Sequence, residues 1–354
     1  MPDPTATVGV IANPAAATDI RRVIANATSM PIADRANTVL RVMAALGACG
    51  VPRVLMMPED GGIRRHLTRS LKRERNLGRH DLPPLHFTDT PVTGTVEDTF
   101  AATRAMVAAG VAAIVVLGGD GTHRAVARFC GDAWIAGIST GTNNAFPEHR
   151  EPTVTGLAVG LAVTGQVPAE TALLANKLLR VSINGGQQSD IALVDVSVTA
   201  ERYAGARALW RSEHLREIFV TFADPEAIGL SAVAGLLQPV GRREPFGLRV
   251  QLRSPAGAGT VMRVPIAPGL IAPVGIGHHE TLAADQTIPM HHQSGMISLD
   301  GERELYVQPD DRAEITLLRN AFHTLDVGAV MRYAAEHHLL RKDVLPKEQS
   351  QETR

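Results

Sequence analysis

The sequence predicts an α/β fold in which a doubly wound parallel sheet in the first half is followed by a β-rich, sandwich-like second half. Three observations carry this. Up to Asn144, short apolar runs alternate with segments of helical periodicity. One of those runs, Ile114 to Leu117, is rich in β-branched residues and lacks alternation, as a strand covered on both faces requires. Beyond Pro168, short alternating or β-branched segments with Gly and Pro between them replace that rhythm.

In chain order, Val8 to Ala12 reads as the first strand and Asn13-Pro14-Ala15-Ala16-Ala17 as a turn of small residues. Val39, Val42, Met43 and Leu46 predict a helix from Ala36 to Leu46, ended by Gly47, and Arg53 to Pro58 makes a second strand. Ile63, Leu67 and Leu71 form a narrow helical stripe beneath Arg64, Arg65, Arg69, Lys72, Arg73, Arg75 and Arg79, with Glu74 the single acid. A solvated helix face, a clamp for a polyphosphate and a membrane-surface patch all fit that composition. Leu85 to Thr88 is a third strand. Thr95-Val96-Glu97-Asp98 then opens a helix that runs through Ala101, Ala105, Met106 and Ala109 to Gly110.

The fourth strand breaks into Gly118-Gly119-Asp120-Gly121-Thr122, with Thr122 expected to cap a helix that has Ala125, Val126, Phe129 and Cys130 on one face. Trp134 to Ser139 is a fifth strand leading into Thr140-Gly141-Thr142-Asn143-Asn144. Right-handed crossovers bring the loops after strands one, four and five to the carboxyl edge of one parallel sheet, where such folds bind ligands. Thr153 to Val163 reads as a bridging helix bracketed by Pro152 and Pro168. Strand-like segments follow at Leu179 to Ile183, Ile191 to Val198, Leu248 to Leu252, Val261 to Pro265, Met296 to Leu299, Leu305 to Val307 and Ala313 to Leu318. Helix or loop is expected over Ala206 to Glu217, and a last helix over Val330 to Leu340. The division expected is an α/β domain carrying the glycine loop at 1–150, a β-rich domain at 151–327, and a terminal helix and frayed tail at 328–354 that return to the first domain.

Strand, glycine turn and helix N-terminus together make a phosphate-binding arrangement. Asp120 is the informative residue there. A carboxylate among anion-binding amides repels a phosphate unless a cation bridges them or the acid accepts a proton during chemistry. The loop therefore calls for Mg²⁺ or for a hydroxyl to deprotonate; the alternative is a βα turn whose Asp merely bonds backbone amides. The spacing is neither that of a P-loop nor that of a dinucleotide-binding glycine turn.

Gly118-Gly119-Asp120-Gly121-Thr122 resembles the GGDGT signature shared by NAD kinases and by diacylglycerol and sphingosine kinases. Asn13-Pro14 upstream and Asp300-Gly301-Glu302 downstream extend the likeness. Within that superfamily the chain most resembles the acetoin-catabolism X proteins, through Ser139 to Asn144, Gly205 to Trp210 and Leu299 to Glu304. The resemblance implies an ATP-dependent kinase that uses Mg²⁺ and phosphorylates a hydroxyl on NAD or a small molecule. Asn13, Gly118, Gly119, Gly121, Thr122, Gly141, Thr142, Asn143 and Asn144 would bind the nucleotide. Asp120 would act as metal ligand or base, Glu302 stands where lipid kinases carry a base, and Asp300 lies beside the cleft. Ala192 to Val196 overlies the element with which NAD kinases hold their dinucleotide, Asp195 taking the place of the acid and Val194 that of the amide. Ala145 stands where lipid kinases have an acid. The resemblance also leaves open a lipid kinase, and an accessory nucleotide-binding protein of acetoin catabolism without turnover; it implies a homo-oligomer.

Composition narrows the partners. Lys and Arg number 35 against 36 Asp and Glu, which gives no global basic field for nucleic acid. The apolar stretches 107–119 and 153–168 are too short, or too rich in Gly and Thr, to insert stably in a bilayer. Two cysteines, Cys49 and Cys130, in 354 residues and no leader-like start predict a reduced, cytoplasmic setting. The pairs His278-His279 and His291-His292 tempt a metal reading, but neighbours on a strand point to opposite faces, so only one of each pair could reach a common ion.

Overall fold

The computed structural model describes residues 6–14, 30–78, 81–141, 144–200, 212–267, 269–291, 294–301 and 303–341. Thr142, Asn143, Glu302, the stretch 201–211 and the tail from Lys342 lie outside the described residues.

The first half alternates as its periodicity demands. The strands are β1 (Thr7–Ala12), β2 (Arg53–Met56), β3 (Leu85–Phe87), β4 (Ala113–Gly118) and β5 (Trp134–Ser139). Between them run α1 (Ile32–Ala48), α2 (Ile63–Asn76), α3 (Val96–Ala108) and α4 (Asp120–Ala127). All five strands pair in parallel in the order β3-β2-β1-β4-β5. α1 and α2 bury Val39, Val42, Ile63 and Leu67 on one face of the sheet, and α3 and α4 bury Met106 and Val126 on the other. Strand order therefore reverses between β1 and β4, the place where open α/β sheets bind their ligands.

The sheet does not stop at residue 150. β6 (Leu173–Ile183), β7 (Gln188–Ala192), β13 (Thr287–Pro289) and β16 (Ala313–Leu325) join it, β16 parallel to β5 and antiparallel to β6. The second described sheet is antiparallel, in the order β11-β12-β10-β9-β8-β14-β15. Its strands are β8 (Asp195–Thr199), β9 (Leu215–Val220), β10 (Phe246–Arg253), β11 (Thr260–Ala267), β12 (Leu270–Ala283), β14 (Gly295–Leu299) and β15 (Arg303–Val307). A core of Leu179, Val181, Val196, Phe219, Ile297 and Leu317 fills the space between the sheets.

Three expectations need correction. Ile191 to Val198 is two strands, because the chain leaves the first sheet after Ala192 and enters the second at Asp195. Leu215 to Glu217 belongs to β9 and not to a helix, since pairing with β8 and β10 overrides local propensity. Thr122 does not cap α4: Gly119 is the N-cap, and Thr122 packs within the first turn over Gly118.

Helix α5 (Pro152–Val163) starts at a proline after Glu151, which accepts the Val154 N–H, and lies along α1. Helix α6 (Ala169–Ala172) and helix α7 (Ser231–Leu237) are short, and α8 (Val327–Glu336) packs Val330 and Ala334 into the core that α1 and α5 share. Gly156 sets the α1–α5 approach: a Cβ there would lie 2.8 Å from both the Val42 carbonyl oxygen and the Ala45 Cβ. Gly156→Ala is therefore expected to cost about 1–3 kcal/mol despite alanine's better helix propensity. Chemical denaturation reads this; unchanged stability would mean that the helices separate freely.

Candidate functional site

The switch point is built from three loops. Asn13 and Pro14 leave β1, Gly118 to Asp120 leave β4, and Thr140, Gly141 and Asn144 follow β5. Two of the glycines are needed for space. A Cβ on Gly118 would sit 2.5 Å from the Thr122 Cβ, and one on Gly119 would sit 2.6 Å from Asn144 Oδ1. Gly119 has extended backbone, so close approach and not left-handed φ selects glycine there. The first turn of α4 begins at Asp120 and, like any helix start, leaves its leading amides without intrahelical acceptors.

Asp120 is buried, with its carboxylate turned toward the next loop. It accepts the N–H groups of Ala145 at 3.0 Å and Phe146 at 2.8 Å. The acid thus bonds backbone amides, as the alternative reading of the loop expects, and those amides belong to the loop after β5. Asn144 donates to Ser139 Oγ at 2.8 Å, closing the same loop from the other side. From the second half, Arg242 donates to the carbonyls of Ala145 (2.9 Å) and Phe146 (2.7 Å), its guanidinium lying over the rings of Phe146 and Phe222. Lys177 on β6 fixes the segment carrying Arg242, donating to Glu244 and Phe246 carbonyls at 2.7 Å and to Gly241 at 3.3 Å. Burial pushes the Lys177 ammonium down to about 8.

Asp300 sits on the turn after β14 at φ +50°. Its carboxylate accepts the N–H groups of Leu193, Val194 and Asp195, the best at 2.8 Å, so it holds the crossing from β7 to β8. Arg124, one turn along α4 from Asp120, donates to the Leu299 carbonyl at 2.5 Å and reaches Asp300 Oδ2 at 3.4 Å. Burial raises the Asp300 pKa, against the opposing pull of Arg124 and the three amides. Another turn on, Arg128 pairs with Asp190 at 2.8 Å. Two arginines four residues apart thus dock α4 on the β7–β8 crossing, where Asp195 is buried at the start of β8.

Sequence reasoning missed these clamps. It also missed Arg35, a buried arginine on α1 that donates to the carbonyls of Asn13 (2.5 Å) and Pro14 (3.3 Å) and so shapes the first loop. A signal was available for Arg35, because it lies in register with Val39, Val42 and Leu46 on the apolar stripe. Lys177 and Arg242 carry no such signal, since what they bind is backbone distant in sequence, and the Leu299 carbonyl and Asp300 carboxylate that Arg124 meets are as distant. Among the described residues no group of three His, Cys, Asp or Glu is placed to hold a metal ion, and both His278 and His279 are exposed on β12.

His123 is fully buried beneath the loop. Its Nδ1 lies 2.9 Å from the Gly119 carbonyl, and Nε2 has no hydrogen-bond partner among the described residues. The tautomer protonated on Nδ1 fits this contact. Burial, helped by Arg242, lowers its pKa from 6.5 to about 4, with the Gly119 contact opposing. Between these values the unfolded chain binds a proton that the folded chain refuses. Stability fully present above pH 6.5 is therefore lost as pH falls toward about 4. The loss from this residue is expected to be about 3 kcal/mol. His123→Leu removes that part of the slope, read as the difference between wild-type and variant denaturation curves; parallel curves would rule it out.

Residues 8–163 match the ATP-NAD kinase N-terminal domain, and residues 177–320 match the acetoin catabolism protein X C-terminal domain. Acetoin catabolism protein X of Cupriavidus necator is 53% identical over 337 residues, which is 94% of each chain. The chain belongs to the acetoin catabolism protein X family. A crystal structure of yeast NADH kinase complexed with NADH aligns with 98% of this chain and 91% of its own, at 11% identity and a TM-score of 0.48. In this member of the acetoin catabolism protein X family, Asp120 and the glycine loop lie in the NAD-kinase-like segment. Lys177, Arg242 and Asp300 lie in the segment matching the family's own C-terminal domain. The clamps on the loop therefore run from one matched segment to the other. No described helix is long and apolar enough to cross a membrane.

Proposed function

We propose that the protein binds Mg-ATP at the β1–β4 switch point and transfers its terminal phosphate to a hydroxyl of NAD or a small molecule. The observation that carries this reading is the placing of Asp120: a buried carboxylate at the first position of a helix, in a glycine-rich loop at the carboxyl edge of the parallel sheet. Asp120 would be the residue offered to the cation or to the acceptor hydroxyl, since a carboxylate has about four acceptor sites. Bound Mg²⁺ would supply charge neutralisation of the donor phosphates. The chain's own groups would do the rest. Amides from Gly119 to Thr122 would hold phosphate oxygens, Asn144 would keep the facing loop closed, and Asp120 would orient the metal or take the acceptor's proton. The bond from the terminal phosphorus to the departing diphosphate oxygen breaks as the acceptor oxygen bonds to that phosphorus.

A second reading, nucleotide binding without turnover, draws on Asp120 already bracing the 145–146 amides and on Ala145 standing where lipid kinases carry an acid. A role in acetoin catabolism rests on the name of the relative. Calorimetric titration of Mg-ATP, with ³¹P-detected transfer to NAD, NADH, small diols and a diacylglycerol, separates the readings. Transfer to one acceptor names the substrate. Binding without transfer favours the second reading, and absence of binding sinks both.

A further inference from the structure

The first sheet ends at β3, and α2 stands beside that edge. Between them lies an open groove of about 690 Å³. Small-molecule sites span roughly 300–1,000 Å³. Leu71, Leu82, Leu85 and Phe87 form its half-buried apolar floor. Lys72 and Arg75, both exposed, stand on the rim three residues apart and so project from one face of α2.

That rim is not neutralised from within. Glu74, the one acid of α2, is buried and lies 3.6 Å from Arg73, off the groove. Neither Lys72 nor Arg75 has an ion pair among the described residues. Like charges at this helical spacing repel one another, and an anion bridging them removes the repulsion. The helix runs back from Ile63, beyond the carboxyl end of β2, so Lys72 and Arg75 stand near Pro83 and Pro84, where the chain enters β3. This is the amino edge of the parallel sheet, opposite the glycine loop. The rim cations therefore do not serve as a clamp on a nucleotide bound at Asp120.

We propose that this groove is a second ligand site, which takes a soluble organic phosphate with an apolar or aromatic body. The body lies on Leu71, Leu82 and Leu85, and the dianionic phosphate meets Lys72 and Arg75 together. Two cations at one rim match a dianion better than a carboxylate, and a recessed floor suits a discrete molecule better than a bilayer surface.

The test is a fluorescence titration of the full chain with 1-naphthyl phosphate, on wild type and on Lys72→Gln/Arg75→Gln. Both side chains are exposed, so the variant should keep its thermal melt and its response to Mg-ATP. Saturable binding is expected, at least about tenfold weaker in the variant. 1-Naphthol alone and inorganic phosphate alone should each bind more weakly than the joined molecule, and saturating Mg-ATP should not displace it. Equal affinity in the variant, displacement by Mg-ATP, equal competition by inorganic phosphate, or binding to phosphatidylglycerol vesicles but not to 1-naphthyl phosphate would each overturn the proposal.

Discussion

On the proposed kinase reading, replacing Asp120 by Asn is expected to lower phosphate transfer from Mg-ATP by about 10²–10³-fold. The same change is expected to cost about 1–3 kcal/mol of stability. Both effects follow from one geometry. The Asp120 carboxylate meets two backbone donors, Ala145 N–H and Phe146 N–H, one on each oxygen. Asn keeps one acceptor and turns an amide NH₂ toward the other donor, so one hydrogen bond becomes a donor-donor contact. The loss of charge removes the group proposed to serve the metal or the acceptor hydroxyl. Magnitudes tell the two effects apart. Domains have about 5–15 kcal/mol of stability, so a loss of 1–3 leaves nearly all molecules folded at 25 °C. A hundredfold fall in transfer, measured beside a denaturation curve, cannot then come from unfolding. If transfer instead tracks the folded fraction, Asp120 is a brace and the nucleotide-binding reading gains.

That brace shows how far the sequence could be read. The strand from Trp134 to Ser139 was legible to the residue, and the glycine loop was legible because its informative residues are consecutive. What the loop touches was not. Ala145 and Phe146 lie 25 and 26 residues from Asp120, and Arg242 is another 96 residues on from Phe146. Its targets are carbonyl oxygens, which every residue has, so no side-chain pattern betrays the contact. β12 was missed for a different reason. Pro273, Gly275 and Gly277 interrupt its apolar residues, yet glycine in the strand allows close passage: a Cβ on Gly275 would lie 2.5 Å from the Arg253 carbonyl oxygen. Ile191 to Val198 failed as one strand because β-branched residues continue through the crossing, and what breaks the strand is Asp300, more than a hundred residues away.

Asp300 is accordingly where the second large effect is expected, and its cause is positional. Asp300→Ala removes the acceptor of the Leu193, Val194 and Asp195 amides and leaves the Arg124 guanidinium, only 11% exposed, without its carboxylate. Breaking one side of such a buried pair costs about 3–5 kcal/mol. Backbone strain adds to it, since Asp300 lies at φ +50°, a region that Asn and Asp tolerate better than Ala. Asp300→Asn should therefore cost less, because it keeps that preference and one acceptor oxygen. Arg124→Met should be strongly non-additive with Asp300→Ala, because the two changes remove the same contact. Urea denaturation of the two single variants and the double variant measures all of this, and additive losses, or a loss under about 1 kcal/mol for Asp300→Ala as at an ordinary surface site, would refute it. Activity gives a second readout. Arg124 stands one turn along α4 from Asp120 and holds that helix to the Leu299 carbonyl. Asp300→Asn, folded and only modestly destabilised, is then expected to weaken the proposed Mg-ATP binding by loosening the helix that presents the glycine loop, although Asp300 itself spends its oxygens on the chain. An unchanged ATP affinity in that variant would separate the crossing from the loop and leave Asp300 a role in folding alone.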